Sequence, residues 1–428
     1  MSRAMKDSGI PWIGEIPKDW KTIQAKFYCD SVYAGGTPDS NNASYWDGDI
    51  PWLPSGICHD CEVNEAKKFI TQEGFENSST KLIPPHTTIM AMTGATCGNV
   101  GYITFEACAN QSVVAYIKRS NLFSKYLFYA LLSAREYILT YQTGGAQAGI
   151  NVQNCKNFIV PYVPIAEQHR IAEFLDRKCA EVDEMIALQE QIIEELKAYK
   201  QSVITEAVTK GLNPAAPMKD SGIEWIGQIP EHWSKDKIIR SFRMIGSGTT
   251  PKSTDENNFD GDINWIQSGD INGGVMESCK NRVSNETIEN CSALKVYSAP
   301  FIIVAMYGAS VGNTSISSID GCVNQACCVL SDSALNFNYA FSVIKSCKDY
   351  WLRKAVGGGQ PNISQETIKQ TWIPIPPITE QQAIADYLDE KCADIDSLIQ
   401  TKQSKIDSLK EYKKSIIYEY VTGKREVE

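Results

Sequence analysis

The chain says everything twice. "MKDSGIPWIGEIPKDW" (Met5–Trp20) returns as "MKDSGIEWIGQIPEHW" (Met218–Trp233), with twelve of sixteen letters identical at an offset of 213 residues. The same offset carries "GGTPDSNNASYWDGDIPWLPSG" (Gly35–Gly56) onto "GTTPKSTDENNFDGDINWIQSG" (Gly248–Gly269) without a gap. One extra residue then intervenes, and "AMTGATCGN" (Ala91–Asn99) meets "AMYGASVGN" (Ala305–Asn313), with Asn110-Gln111 meeting Asn324-Gln325. The register returns to 213 for "GGAQAGI" (Gly144–Ile150) against "GGGQPNI" (Gly357–Ile363), and for "PIAEQHRIAEFLDRKCAEVD" (Pro164–Asp183) against "PITEQQAIADYLDEKCADID" (Pro377–Asp396). A repeat this long exceeds any solenoid unit, so the chain is a duplicated domain rather than an array.

Each copy has two parts. The first, about 150 residues long, mixes short β-branched and aromatic runs with Gly, Pro, Asn and Asp, the pattern of an α+β globular domain. "TTIMAM" before Gly94 and "FIIVAM" before Gly308 read as buried strands entering tight turns, and "YLFYALLSAREYILTY" (Tyr126–Tyr141) as a buried helix. "IVPYVPI" and "IPIPPI" read as extended, because proline disfavours helix in the residue before it. The second part is a long helix: neither Gly nor Pro occurs from Ala166 to Thr209 or from Thr379 to Thr422. Leu388, Ile395, Lys402, Leu409 and Ile416 recur every seven residues, with Leu398 and Tyr412 beside them. Leu175, Val182, Leu196 and Val203 repeat the stripe in the first copy, and Gln189 and Lys402 interrupt both seams at matched positions. Five heptads with one apolar stripe predict a coiled coil. Two equivalent helices in one chain pack most simply as an antiparallel pair about a pseudo-twofold axis. The doubled "MKDSGI…W" phrase then becomes the joint between a helix end and the next globular domain: helix one in the second copy, and the end of helix two ("YEYVTGKR") in the first. Trp12, Trp20, Trp225 and Trp233 supply its anchors.

Composition narrows the functional classes. The net charge is −10, the wrong sign for a nucleic-acid binder taken as one surface. The globular segments are nevertheless near neutral, with 13 Lys/Arg against 14 Asp/Glu over residues 1–160 and 14 against 16 over 211–376. The helices and their flanks carry −7 of the net charge. The fourteen cysteines have no disulfide spacing, no apolar run is long enough to span a bilayer, and no secretory signal is evident, so a cytoplasmic protein without membrane contact is expected. "CHDC" (Cys58–Cys61) has no second CxxC, and its counterparts are Ile271 and Gly274, so no metal site is expected. Catalytic patterns are missing as well. "TGATCGN" has no Lys-Ser/Thr after its glycine and is no P-loop, and the four histidines pair with no Ser or Cys nucleophile pattern. Asp47 and Asp49, matched by Asp260 and Asp262, sit in "WDGD" and "FDGD", settings typical of turns. The chain reads as a binder and organiser.

The order W…GGTP…WDGDIPW…GAxxGN…NQ…GG…PxxEQxxIAxxLD, then a heptad helix, then all of it again, resembles the specificity subunit of type I restriction–modification systems. The resemblance covers nearly the whole chain. It implies an α+β architecture of two globular α/β target recognition domains separated by two long helices that form an antiparallel coiled coil, a pseudo-twofold internal repeat. Residues 1–161 would be the first recognition domain, 162–211 the central helix, 212–374 the second domain and 375–424 the C-terminal helix. It also implies a non-catalytic subunit that reads a split site on double-stranded DNA, with two adenine methyltransferase and two restriction subunits as partners. No cofactor is expected in this chain, since S-adenosylmethionine, ATP and Mg²⁺ belong to those partners. Two readings of other classes stay open from the residues alone: a nuclease or methyltransferase with unrecognised motifs, and a coiled-coil scaffold without DNA specificity.

Base reading needs side chains that both donate and accept, while Lys and Arg on phosphates position a domain. The glycine-rich loops offer Thr93, Thr96 and Asn99 in the first copy and Tyr307, Ser310 and Asn313 in the second. The "QTGGAQ" and "VGGGQ" loops offer Gln142, Gln147 and Gln360. Lys67, Lys68, Lys252, Lys280 and Arg282 are the phosphate candidates. Residues the copies share, Asn99/Asn313 and Gln111/Gln325, suit domain construction, and residues that differ, Thr93/Tyr307 and Lys67/Lys280, suit discrimination between two half-sites. Gln168, Arg170 and Gln381, at the starts of the helices, are the expected partner-binding faces.

Overall fold

The structure is a computed structural model that describes residues 3–119, 122–144, 148–252, 254–357 and 360–427. Two compact units emerge: residues 1–190 with 403–428, and residues 191–402. Neither unit is one sequence copy. Each takes a globular domain and the start of the long helix that follows it from one copy, and the far end of a long helix from the other.

In the first unit a five-stranded sheet runs in the order Cys29–Ala34, Val113–Lys118, Thr87–Ala91, Val100–Ile103, Cys61–Val63. All but the last pairing are antiparallel, and Cys61–Val63 lies parallel to Val100–Ile103. Thr87–Ala91 is buried along its whole length, as a central strand covered on both faces must be. A smaller sheet joins Cys108–Ala109, Trp46–Leu53 and Phe69–Ile70. The second unit repeats both sheets strand for strand, with Phe301–Ala305 in the place of Thr87–Ala91. The extra residue of the second copy falls between matched pairings. The helix caps Thr71 and Ser284 are 213 apart, whereas the bridges Ile83–Ala107 and Tyr297–Gly321 are 214 apart.

The shared glycine that opens "GGTP" has a packing cause. A β-carbon on Gly35 would meet the Ala109 carbonyl at 1.9 Å, and one on Gly248 the Val323 carbonyl at 1.7 Å. Side-chain-free backbone is required where these two strands approach. The Tyr126–Tyr141 stretch, expected as one helix, forms two, Ser124–Ser133 and Arg135–Leu139, broken at Ala134 (ψ 1°). Asp47, expected in a turn, lies in the strand Trp46–Leu53 at a positive φ of 59°, where the pairing with Phe69–Ile70 slips. That is the geometry of a bulge.

The long helices are α1 (Ile165–Lys210) and α2 (Ile378–Val421). Within the first unit the start of α1 packs antiparallel to the end of α2, Phe174 stacking on Tyr420 with ring centroids 4.3 Å apart while Asp183 meets Lys413. Within the second, Val203, Ile204, Ala207 and Val208 of α1 share a core with Ile384, Ala385 and Leu388 of α2. Leu398 and Tyr412, expected beside the seam, are exposed instead. Each lies three residues beyond a buried seam residue, Ile395 or Leu409, and one helical turn less a fraction carries it off the contact line.

The joint forms as the repeated phrase demands. Trp20 and Trp233 are buried, their indole N–H groups donating to Glu167 at 3.2 Å and Glu380 at 2.9 Å. Trp12 and Trp225, half-buried, donate to the carbonyls of Ile159 and Trp372. In the first unit the carbonyl of Ile13 accepts from the Tyr418 hydroxyl at 3.1 Å and from Lys424 at 2.8 Å, so the end of α2 does contact the N-terminal phrase.

Candidate nucleic-acid interface

Two glycine-rich loops lie side by side in each unit. In the first, Thr93 bridges Gly149, which also bridges Thr143, so the two loops meet at Gly149. In the second, Tyr307 and Val356 both bridge Asn362, and the Gly308 N–H donates to the Pro361 carbonyl at 2.9 Å. Gly94 (φ 71°) and Gly308 (φ 72°) make the turn that ends the central strand, a conformation glycine adopts without strain. Thr93, Thr96 and Gln142 are half-buried in this cluster, and Ser310 matches Thr96. Tyr307 is 45% exposed and Gln360 is exposed. Gln147 lies outside the described residues.

The shared residues are tied into the fold. Asn99 Nδ2 donates to the Cys58 carbonyl at 3.1 Å, and Asn313 Oδ1 accepts from Lys348 at 2.8 Å. Gln111 is bonded to Thr37, and Gln325 accepts from Thr250 at 2.6 Å, fastening the "GGTP" segment to the next strand. The lysine candidates are elsewhere. Lys67 and Lys68 precede Phe69–Ile70 in the smaller sheet, and Lys280 and Arg282 stand at the matching strand Arg282–Val283. Lys252 lies in the segment before Glu256–Phe259. All five are exposed, and Arg282 lies 3.8 Å from Asp262. The structure thus groups the polar loop residues together and the basic ones around the smaller sheet.

Gln168 and Gln381, expected on exposed helix faces, are buried instead. They are 0% and 3% exposed. Gln168 accepts from the Phe123 N–H at 2.8 Å and donates to the Val163 carbonyl at 2.7 Å. Gln381 accepts from the Asn336 N–H at 2.8 Å and donates to the Pro376 carbonyl at 2.8 Å. Each side chain clamps the first turn of its helix to the domain, because the amide satisfies both a donor and an acceptor that burial would leave unpaired. Arg170 is exposed. What periodicity missed is an apolar pair on each helix: Met185 and Tyr199 on α1, Leu398 and Tyr412 on α2, matched by the 213-residue offset and exposed, the tyrosines by 51% and 49%.

Nucleophilic chemistry has little purchase. Burial pushes the thiols of Cys29, Cys155, Cys322 and Cys328 up to about 12, far from the thiolate that would attack at neutral pH. Among the described residues no cluster of three or more His, Cys, Asp or Glu is arranged to hold a metal ion.

Comparison with known proteins decides the family. The model of the type I restriction modification DNA specificity domain matches residues 17–198 and again 230–421. The chain belongs to that family. It is a specificity subunit, and such subunits are not the catalytic ones. A putative type I restriction enzyme MjaX specificity subunit from Methanocaldococcus jannaschii is 24% identical over 434 residues, spanning 96% of this chain and 95% of that protein. The EcoR124I/EcoR124II specificity subunit of Escherichia coli is 32% identical over 170 residues, and that match spans 38% of this chain and only 41% of the relative. Among solved structures, a chain from a study of complex assembly and conformational transition of the type I R-M system superimposes with a TM-score of 0.71 at 17% identity, covering 95% of this specificity subunit and 98% of that chain. The HsdS subunit from Thermoanaerobacter tengcongensis covers 96% at a TM-score of 0.50.

Proposed function

We propose that this specificity subunit reads a bipartite site on double-stranded DNA, one half-site by the loop cluster of each unit, and carries two adenine methyltransferase and two restriction subunits on its long helices. The observation that supports this best is the contrast within the repeat. Asn99/Asn313 and Gln111/Gln325, which build the domain, are common to both copies, while the bridging loop positions differ, Thr93 against Tyr307 and Thr143 against Val356. One scaffold with two sets of readers suits two different half-sites. Lys67, Lys68, Lys252, Lys280 and Arg282 serve phosphates. Exposed apolar residues of α1 and α2, and Arg170, contact partners, and methyl donor, ATP and Mg²⁺ chemistry stays with those partners. The complex works on cytoplasmic DNA; no described helix is long and apolar enough to cross a membrane. Near-neutral recognition domains make DNA binding by the lone chain weak and leave much phosphate contact to partners. The test is methylome sequencing of cells carrying the chain with an adenine methyltransferase subunit. A split, two-part motif is expected, and loop substitutions in one unit should alter one half only. Methylation with no such motif, or activity from the isolated chain, would overturn this reading.

A further inference from the structure

The two copies differ at one place where the difference leaves a hole. In the first unit Arg3 lies against the helix start: its Nη1 is 2.8 Å from Glu167 Oε1, its Nη2 is 2.9 Å from Asp19 Oδ2, and the guanidinium sits 5.2 Å from the centre of the Trp20 ring. In the second unit the carboxylate and the indole are both kept, as Glu380 and Trp233, with the indole N–H donating to Glu380 Oε2 at 2.9 Å. The arginine is not kept. Position 216, which matches Arg3, is alanine, and position 383, which matches Arg170, is alanine too. Backbone register confirms the match: Lys18 N–H donates to the Ala4 carbonyl at 2.9 Å, and Glu231 N–H donates to the Pro217 carbonyl at 2.8 Å. Beside these alanines there is an open cavity of about 410 Å³ bordered by Ala216, His232, Glu380, Ala383 and Ile384, within the range of ligand-sized sites.

We propose that this cavity is a guanidinium-binding site that takes an arginine side chain of a docked partner protein. The group that fills the equivalent space in the first unit is itself an arginine on a polypeptide. Glu380 provides the carboxylate that a guanidinium fork matches, its other oxygen held by the indole N–H of the buried Trp233 at 2.9 Å. His232, at the position of Asp19, now lies 2.6 Å from Glu380 Oε1. An incoming guanidinium displaces the imidazole and restores the arrangement seen around Glu167. Lys210 also borders the cavity, its ammonium 3.4 Å from Glu206. The site rests on the internal repeat and not on the DNA-reading proposal.

The experiment uses the full chain labelled with 5-fluorotryptophan, the Trp233 signal assigned with Trp233→Phe, and N-acetyl-arginine methylamide as the probe. A saturable shift of Trp233 with Trp20 unmoved is expected, about tenfold weaker in Glu380→Gln and abolished in Ala216→Arg, where the side chain is supplied in cis. The matching lysine derivative should bind less well, and methylguanidine less well still because it lacks the stem that Ala216, Ala383 and Ile384 would border. No response of Trp233, an undiminished response in Ala216→Arg, or equal response to the lysine derivative would overturn the site. Equal binding of methylguanidine would overturn the assignment to a protein side chain.

Discussion

Lys413 reaches both carboxylate oxygens of Asp183, at 2.7 and 2.6 Å, and Lys200 reaches both of Asp396 at the same distances. Subtracting the 213-residue offset turns one pair into the other, lysine for lysine and aspartate for aspartate. Each pair joins the two sequence copies, so the repeats have exchanged helix ends. The pairs are partly exposed, which keeps each one's worth to about 0.2–1 kcal/mol. Lys413→Glu should therefore lower stability by roughly that amount, and adding Asp183→Lys should recover most of it. Thermal unfolding of the two single variants and the double variant measures the coupling. No recovery in the double variant would contradict the pairing.

Gln168 and Arg170 are two residues apart and opposite in fate. Gln168→Glu places a carboxylate against the Val163 carbonyl, which now accepts from the amide. A loss on the order of 3 kcal/mol is expected. Arg170→Glu changes a surface charge and should leave stability within about 0.5 kcal/mol while weakening co-purification of methyltransferase. Urea denaturation and pull-down of each variant separate the clamp from the docking face.

Lys345 should make the second unit pH-sensitive. Its ammonium donates to the Gly273 carbonyl at 2.7 Å, yet burial, and then Lys200 nearby, hold its pKa below the ordinary 10.5. Below that lowered pKa both folded and unfolded chains are protonated and the destabilisation is present in full. Between it and 10.5 the unfolded chain binds more proton, so stability rises with pH across that window. Lys345→Leu, the residue the first copy has at Leu132, should remove this slope and raise stability by on the order of 1 kcal/mol. Chemical denaturation at a series of alkaline pH values checks both. An unchanged slope would show that another group titrates.

Much of this architecture is legible because the sequence states it twice. The long helices follow from the absence of Gly and Pro, and the buried strands from "TTIMAM" and "FIIVAM". The joint between α2 and the N-terminal phrase follows from the repeat alone. What was not legible depends on phase and burial. A heptad stripe marks Ile395 and Leu409 as seam but cannot separate them from Leu398 and Tyr412, three residues on. Gln168 looks like a surface residue by type and is a buried clamp, because the groups it satisfies, Phe123 N–H and Val163 C=O, come from elsewhere in the chain. The cavity beside Glu380 arises from two alanines that carry no signal until Arg3 and Arg170 are set beside them. The loop residues could be nominated by chemistry, but that Thr93 and Gly149 share a bridge is a matter of tertiary contact.

The exchange of helix ends sets what a half-length chain should do. In the first unit the Tyr126 hydroxyl donates to the Val421 carbonyl at 3.1 Å, and in the second Tyr339 lies 3.5 Å from the Val208 carbonyl, the matched pair. A chain ending near Gly211 keeps Tyr126 and Val208 but has no α2, so the core of its domain stays open unless a second copy supplies its own 191–210 segment. It should therefore be a twofold dimer, and with methyltransferase it should direct modification to an inverted repeat of the first half-site. The fit will not be perfect. Tyr420, which stacks on Phe174 in the intact protein, is matched by Ala207, so each end of the dimer loses an aromatic pair worth about 0.5–1.5 kcal/mol beyond its buried area. Ala207→Tyr in the half-length chain should restore that contact twice over and tighten the dimer. Sedimentation of the two half-length chains over a concentration series gives the dissociation constants, and methylome sequencing gives the motif. A monomeric half-chain that still folds would mean that the borrowed helix end is dispensable, and with it the reason for the duplication.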